Sequence, residues 1–279
     1  MTILGPVLDV RPLFSQERRE LLALLRSLSA ADWSRETVCP GWDVHDVVGH
    51  VLNDYLRRIS GSRDGFAGAT FANDETLPGY LARTNDEFVR AARQCSPELM
   101  IELLAHLGPE LDRLWGTFDL TAPAALDVSW AGPGPSPAWL DIARDYTEFW
   151  VHQQQIRDAV GRPGADRPEL AHPVLDTFLR ALPHALREVA RPHGTAVRVV
   201  VPGPSGGTWH AMSEDGRWRM ADDETDPVGE PAATITMRPD DLWRLATRGI
   251  TVTEARRRVA AQGDPALIDA ATALLAVVA

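Results

Sequence analysis

Apolar residues recur at helical spacing through roughly the first 160 positions. In FSQERRELLALLRSL, Leu21, Leu22, Leu24, Leu25 and Leu28 share one face. In the next periodic stretch Val44, Val47, Val48, Val51 and Tyr55 form a second stripe. Pro40-Gly41 breaks the chain just before it, and Asp43 is placed to cap the new helix. A loop rich in Gly, Ala and Asn near 61–78 leads to helical stretches around 80–95 and 97–118. A Pro/Gly-rich loop over 121–138 then feeds a helix over 140–160, which stops at Gly161 with Pro163 just beyond. Amphipathic helices joined in this way predict a bundle with four main helices.

The pattern changes after about residue 165. ADRPELAHPV reads as a linker entering another helix, 169–190. Short β-rich runs follow at Val197–Val201, Thr208–Met212, Arg217–Met220 and Ala233–Met237, separated by turn residues. Two helices, 239–248 and about 265–278, close the chain with ITVTEARRRVAAQGD between them. The expected fold class is therefore α plus α+β. A helical bundle over 1–165 precedes a small antiparallel sheet with helices packed on it over 166–279.

Composition narrows the function classes. The chain has 279 residues, 44% hydrophobic and 24% charged, which are globular values with room for two ordinary cores. All 28 residues counted as Lys+Arg are arginine. Without lysine, Schiff-base catalysis, pyridoxal phosphate attachment and a Walker A lysine are excluded. A net charge of −11 argues against general nucleic-acid binding. Two cysteines, Cys39 and Cys95, make neither a disulfide framework nor a paired-cysteine zinc site. No secretory signal and no membrane-spanning run is evident, so a cytoplasmic protein is expected, away from membranes and existing as a monomer or a homodimer.

The candidate chemistry lies on the flanks of two apolar stripes. On helix 140–160, His152 falls roughly 60° to one side of Phe149, and Glu148 roughly 100° to the same side. Four residues apart, their heads can converge on one point. Such a pair serves as a two-ligand metal clip or as a solvated ion pair. His50 flanks the stripe of the earlier helix, roughly 100° off centre. If it faces the pair across the bundle, His50, Glu148 and His152 form a three-ligand set with an open fourth position, as catalytic zinc sites have. Asp46, Asp54 and Asp145 lie near the same flanks, as possible orienting groups or as solvated charges. Cys39 reads as a structural thiol at a helix entry, Trp42 as packing at the bundle end, and Arg157 and Asp158 as structural contacts.

VCPGWDVHDVVGHVLND, followed much later by DYTEFWVHQQQIRDAVGRP, resembles the mycothiol-dependent maleylpyruvate isomerase family of the DinB-like superfamily. The last hundred or so residues, with ATITMRPDDLWRLATRG, are similar to the sterol-carrier-like domain that members often carry, so the resemblance spans nearly the whole chain. It implies a DinB-like metal-binding four-helix bundle and a divalent metal, usually zinc, on His50, Glu148 and His152. It also implies a low-molecular-weight thiol, mycothiol, as nucleophile toward a small electrophile. Isomerase and S-transferase chemistry share such a site. A non-catalytic ligand-binding or regulatory protein with a structural metal is the alternative. The inserts at 61–78 and 121–138 stand to reshape the pocket mouth, so no substrate is carried over. Arg83, Arg248 and Arg258 are candidates for the family's anion-binding arginines.

Overall fold

The computed structural model describes residues 3–66, 68–124, 127–132, 135–222, 226 and 229–276. Helices α1 (Phe14–Arg26), α2 (Ala30–Trp33), α3 (Val44–Arg58), α4 (Leu77–Ala92), α5 (Pro97–Gly116) and α6 (Ala138–Val160) come first. Then follow α7 (Pro168–Leu179), α8 (Leu182–Leu186), β1 (Ala196–Val201), β2 (Gly207–Glu214), β3 (Arg217–Met220) and β4 (Ala233–Thr236). The order closes with α9 (Pro239–Ala246), α10 (Val252–Arg258), β5 (Ala260–Gly263) and α11 (Pro265–Ala271). The arrangement is a helical bundle followed by an α+β region. Among the described residues, no helix is long and apolar enough to cross a membrane.

The helix ends follow local chemistry. Asp43 and Asp46 form a reciprocal capping box at the start of α3: the Asp46 amide donates to Asp43 Oδ1 at 2.9 Å, and the Asp43 amide to Asp46 Oδ2 at 3.4 Å. Gly161 ends α6 in the left-handed conformation, φ 67°. Gly49 lets α4 approach α3 closely, since a Cβ there would lie 3.0 Å from the Cβ of Ala92. α6 is buried almost all round, because α1 and α3 cover one side and α7 another. An aromatic cluster fills the bundle interior. Phe14 meets Tyr146 and Phe149 edge-on at 5.4 and 5.9 Å, and Tyr55 meets Phe149 at 4.8 Å.

A polar seam crosses this apolar interior between α3 and α6. At one end Arg58 donates to Asp141 Oδ2 at 3.0 Å and to Asp145 Oδ1 at 2.7 Å, with both carboxylates and the guanidinium buried. Arg144 bonds Asp141 from the same helix. Two turns back along α3, His50 meets Glu148 and His152, which lie further along α6. The two helices therefore run antiparallel along the seam. Asp145 and Asp46 are not solvated charges: Asp145 is held by Arg58, and Asp46 caps α3 and pairs with Arg93 at 2.8 Å.

The α+β region differs from expectation in five places. Its five-stranded sheet has the order β3-β2-β1-β4-β5 and is mixed, because β1 and β4 run parallel while the other pairs are antiparallel. β5 was invisible to the hydrophobic pattern, since Ala260–Gly263 is exposed throughout and held by backbone pairing with β4. α10 arises from a Thr251–Glu254 capping box, a short local signal without an apolar stripe. The expected helix 169–190 is two helices, α7 and α8, and the last helix is shorter than 265–278.

The two regions share contacts. Tyr146 Oη donates to the Leu170 carbonyl at 3.1 Å. Trp150 meets Trp243 edge-on at 5.9 Å, and Arg244 pairs with Asp158 at 2.7 Å. Residues 3–6 reach the far region too. The Met220 amide donates to the Ile3 carbonyl at 2.9 Å, and Arg180 donates to the carbonyls of Leu4 and Pro6 at 2.5 and 3.1 Å.

The loop over 121–138 is partly core, with Val128 and Trp130 buried, rather than only a rim. Its residues 125–126 and 133–134 lie outside the described residues.

Two stability predictions follow from buried charge. Arg58→Leu leaves Asp141 and Asp145 without the guanidinium that satisfies them; it should cost about 3–5 kcal/mol, read as a lowered urea midpoint. Glu17 is 1% exposed and accepts from Gln153 Nε2 at 2.6 Å. Burial pushes its pKa from 4.5 up to about 7, against the opposing Gln153 bond. The folded state thus binds the Glu17 proton more tightly than the unfolded state does. Its contribution is intact below pH 4.5 and is lost as pH rises towards 7. Glu17→Gln should remove that loss, stabilising the protein at pH 8 by on the order of 2–3 kcal/mol, with little change at pH 4. Unfolding curves at the two pH values measure it.

Candidate metal centre

α3 and α6 bring the three sequence-predicted residues together. His50 Nε2 lies 3.1 Å from Glu148 Oε1, and His152 Nε2 lies 3.0 Å from the same oxygen. One nitrogen or oxygen from each of the three residues falls within 4.8 Å of the others. The imidazole rings meet edge-to-face, 4.7 Å between centroids. His50 is 5% exposed and His152 8%, while the Glu148 side chain keeps 40% of its surface open. The set is thus buried at its histidines, while the Glu148 side chain remains partly open.

The three groups can be held together either by shared protons or by a cation. Two basic nitrogens and a carboxylate oxygen converge on a volume of a few ångströms, and such atoms repel unless protons or a cation lie between them. Burial opposes the Glu148 carboxylate, but hydrogen bonds and charge from His152 and His50 override it and hold its pKa well below the ordinary value. Burial also opposes the His152 imidazolium, yet contacts with Cys39 and Glu148 raise its pKa well above the ordinary value. Asp54, one turn on from His50, has its Oδ2 3.6 Å from His50 Nε2. Burial beside the other carboxylate raises its pKa. It sits at the edge of the set and outside the three converging atoms.

Trp42 packs its ring against His50 at 5.3 Å, so it borders the centre instead of only closing the bundle end. Arg157 donates to Gln153 Oε1 at 2.9 Å, a structural contact as expected. Two neighbours of the centre were not recognised as such in the sequence: Gln155 went unread, and Cys39 was read as a structural thiol at a helix entry. Gln155 Oε1 lies 2.7 Å from His152 Nδ1, and Cys39 Sγ donates to the same oxygen at 3.2 Å. The only signal for Gln155 was its position three residues after His152. Cys39 carried none, because it reaches the centre from the loop before α3, 116 positions away from Gln155.

The three candidate anion-binding arginines are engaged elsewhere or stand apart. Arg83 donates to Glu75 at 2.9 Å and to the Thr70 carbonyl at 3.0 Å, bracing the loop before α4. Arg258 pairs with Asp241 at 2.9 Å. Arg248 is exposed, in the left-handed conformation with φ 60°. Among the hydrogen bonds and ion pairs of the described residues, none joins any of the three to His50, Glu148 or His152.

The family described as "Mycothiol maleylpyruvate isomerase N-terminal domain" matches residues 14–157. That span includes His50, Glu148 and His152, and also Cys39 and Gln155. Two solved structures of a mycothiol-dependent maleylpyruvate isomerase, one a histidine-to-alanine mutant, share the fold. Their TM-scores are 0.54 and 0.53 at 13% and 12% sequence identity, over 94% of this chain and 96% of each of theirs. No curated protein matches the chain.

Proposed function

The chain belongs to the mycothiol maleylpyruvate isomerase N-terminal domain family, and on that premise we propose that it is a metal-dependent enzyme using a low-molecular-weight thiol of the mycothiol class. It isomerises a small cis-configured electrophile or transfers sulfur to it. The observation that supports this reading best is the convergence of His50 Nε2 and His152 Nε2 on Glu148 Oε1. Two imidazoles and one carboxylate are a donor set that suits zinc and leaves a coordination position open. The His152 Nδ1 is held by Gln155, which leaves its Nε2 directed at the shared carboxylate.

When bound, a zinc ion lowers the pKa of a thiol placed at its open position, so that the reactive thiolate exists at neutral pH. The protein's residues supply the rest. His50, Glu148 and His152 would hold the ion. Trp42 walls one side of His50 and restricts water there. The open face at Glu148 admits the reactants. A thiol that adds to a conjugated cis double bond and then leaves gives the trans isomer; one that stays gives an S-conjugate. A non-catalytic ligand-binding or regulatory protein is the second reading. It is motivated by Asp54, whose approach to His50 would let it close the fourth position.

Elemental analysis and a thiol-dependent assay separate these readings. We expect one divalent ion per chain, lost in His50→Ala and His152→Ala. We also expect mycothiol-dependent turnover of maleylpyruvate or of a related electrophile that stops on chelation. Metal without turnover, across a panel of electrophiles with mycothiol supplied, would favour the binding protein. Full metal retention in both alanine variants would remove the basis of the proposal.

A further inference from the structure

Of the two imidazoles at the centre, one has both nitrogens held. His152 Nε2 faces Glu148 Oε1, and His152 Nδ1 faces Gln155 Oε1 at 2.7 Å. An imidazole that offers the Nε2 lone pair to a cation must carry its proton on Nδ1, and a buried Nδ1–H needs an acceptor. Gln155, 8% exposed, supplies it.

A glutamine amide is an ambiguous partner, because it can turn either its oxygen or its NH2 toward a neighbour. With the NH2 turned inward, the ring proton would be driven to Nε2 and the ligating nitrogen would be blocked. Cys39 bears on that choice. Its Sγ donates to the same Gln155 oxygen at 3.2 Å, so two donors meet at one acceptor and favour the oxygen-inward orientation. The thiol is itself fixed by a tight turn. The Cys39 amide donates to Thr37 Oγ1 at 3.1 Å, Thr37 Oγ1 to the Trp42 carbonyl at 2.8 Å, and the Trp42 amide to the Cys39 carbonyl at 3.0 Å. That turn leads directly into α3, which carries His50.

We propose that Cys39 and Gln155 form one positioning unit, a thiol that orients an amide and an amide that fixes the His152 ring with Nε2 bare toward the centre. The proposal rests on the metal reading above and concerns residues that coordinate nothing themselves. Cys39 is here a structural donor tied to the centre, in place of the isolated packing thiol that the sequence suggested. Among the described residues the buried Nδ1 of His50 has no equivalent partner, so the unit makes His152 the pre-oriented member of the pair.

Zinc affinity by competition with a chromophoric chelator tests it, together with the ring 15N spectrum of His152 in the zinc-loaded protein. Urea midpoints report folding. Gln155→Leu should weaken zinc binding by roughly 10–100-fold and disturb the Nδ1-protonated ring signature. Gln155→Glu, which keeps an acceptor, should bind at least as tightly as the parent protein. Cys39→Ser keeps a donor and should stay within about 2-fold, whereas Cys39→Ala should lose roughly 3–10-fold, a smaller effect than removing the acceptor itself.

Unchanged affinity and an unchanged ring spectrum in Gln155→Leu would overturn the proposal. If Gln155→Leu does not fold, the Cys39 pair decides: equal zinc affinity in Cys39→Ser and Cys39→Ala counts against the unit, and loss in Cys39→Ala alone supports it. The parent protein and His152→Ala serve as controls. If the parent binds no zinc, the metal reading falls and the unit falls with it. If the parent binds zinc, His152→Ala loses it and Gln155→Leu does not, only the positioning unit is wrong.

Discussion

The buried contact of Arg58 with Asp141 and Asp145 sets how α3 lies against α6, and the centre depends on that register. His50 precedes Arg58 by two turns on α3, and Glu148 and His152 follow Asp145 by one and two turns on α6. A slide of one residue along the seam would move His50 by about 1.5 Å along the helix axis and rotate its face by about 100°. An apolar interface alone tolerates such slides better, because leucine and valine contacts are interchangeable in kind. Two carboxylates that must both meet one guanidinium are not. The guanidinium also rests over the Trp115 ring at 5.3 Å, which ties α5 to the same point.

This division of labour suits the chemistry proposed for the site. The two imidazoles must stay converged on Glu148 Oε1, so the scaffold has to keep their helices in register. The bundle does so with buried aromatic packing below Glu148, where Phe149 meets Phe14 and Tyr55, and with fixed charge at the far end of the seam. The centre itself can then remain partly open, as the exposed edge of Glu148 shows. Rigid support and an accessible carboxylate are compatible because they occupy opposite ends of one helix pair.

Much of this was legible in the chain. The helical stripes around Val47 and Phe149 placed His50, Glu148 and His152 each on the flank of its own helix, since side-chain period is a local property that sequence displays directly; that the two flanks face each other was implied only by the family resemblance. The stop at Gly161 and the cap at Asp43 were legible for the same reason. What escaped depended on long-range pairing. β5 has no side-chain pattern and exists because β4 offers it a backbone edge. The parallel pairing of β1 with β4 is a matter of topology, which alternation does not encode. Cys39 and Gln155 meet only after the bundle has closed. The buried state of Asp145 and Asp46 was hidden because each is made tolerable by an arginine distant in the chain.

The clasp made by residues 3–6 has a consequence for the order in which the molecule assembles. Leu4 finds its partner in Arg180, 176 positions later, and Ile3 finds its own in Met220 beyond that. A ribosome delivers the first of these segments long before the second, so the opening residues must wait while the helices around them condense. The whole clasp therefore cannot close before β3 has been made. Until then the carbonyls of Ile3, Leu4 and Pro6 have only water to satisfy them.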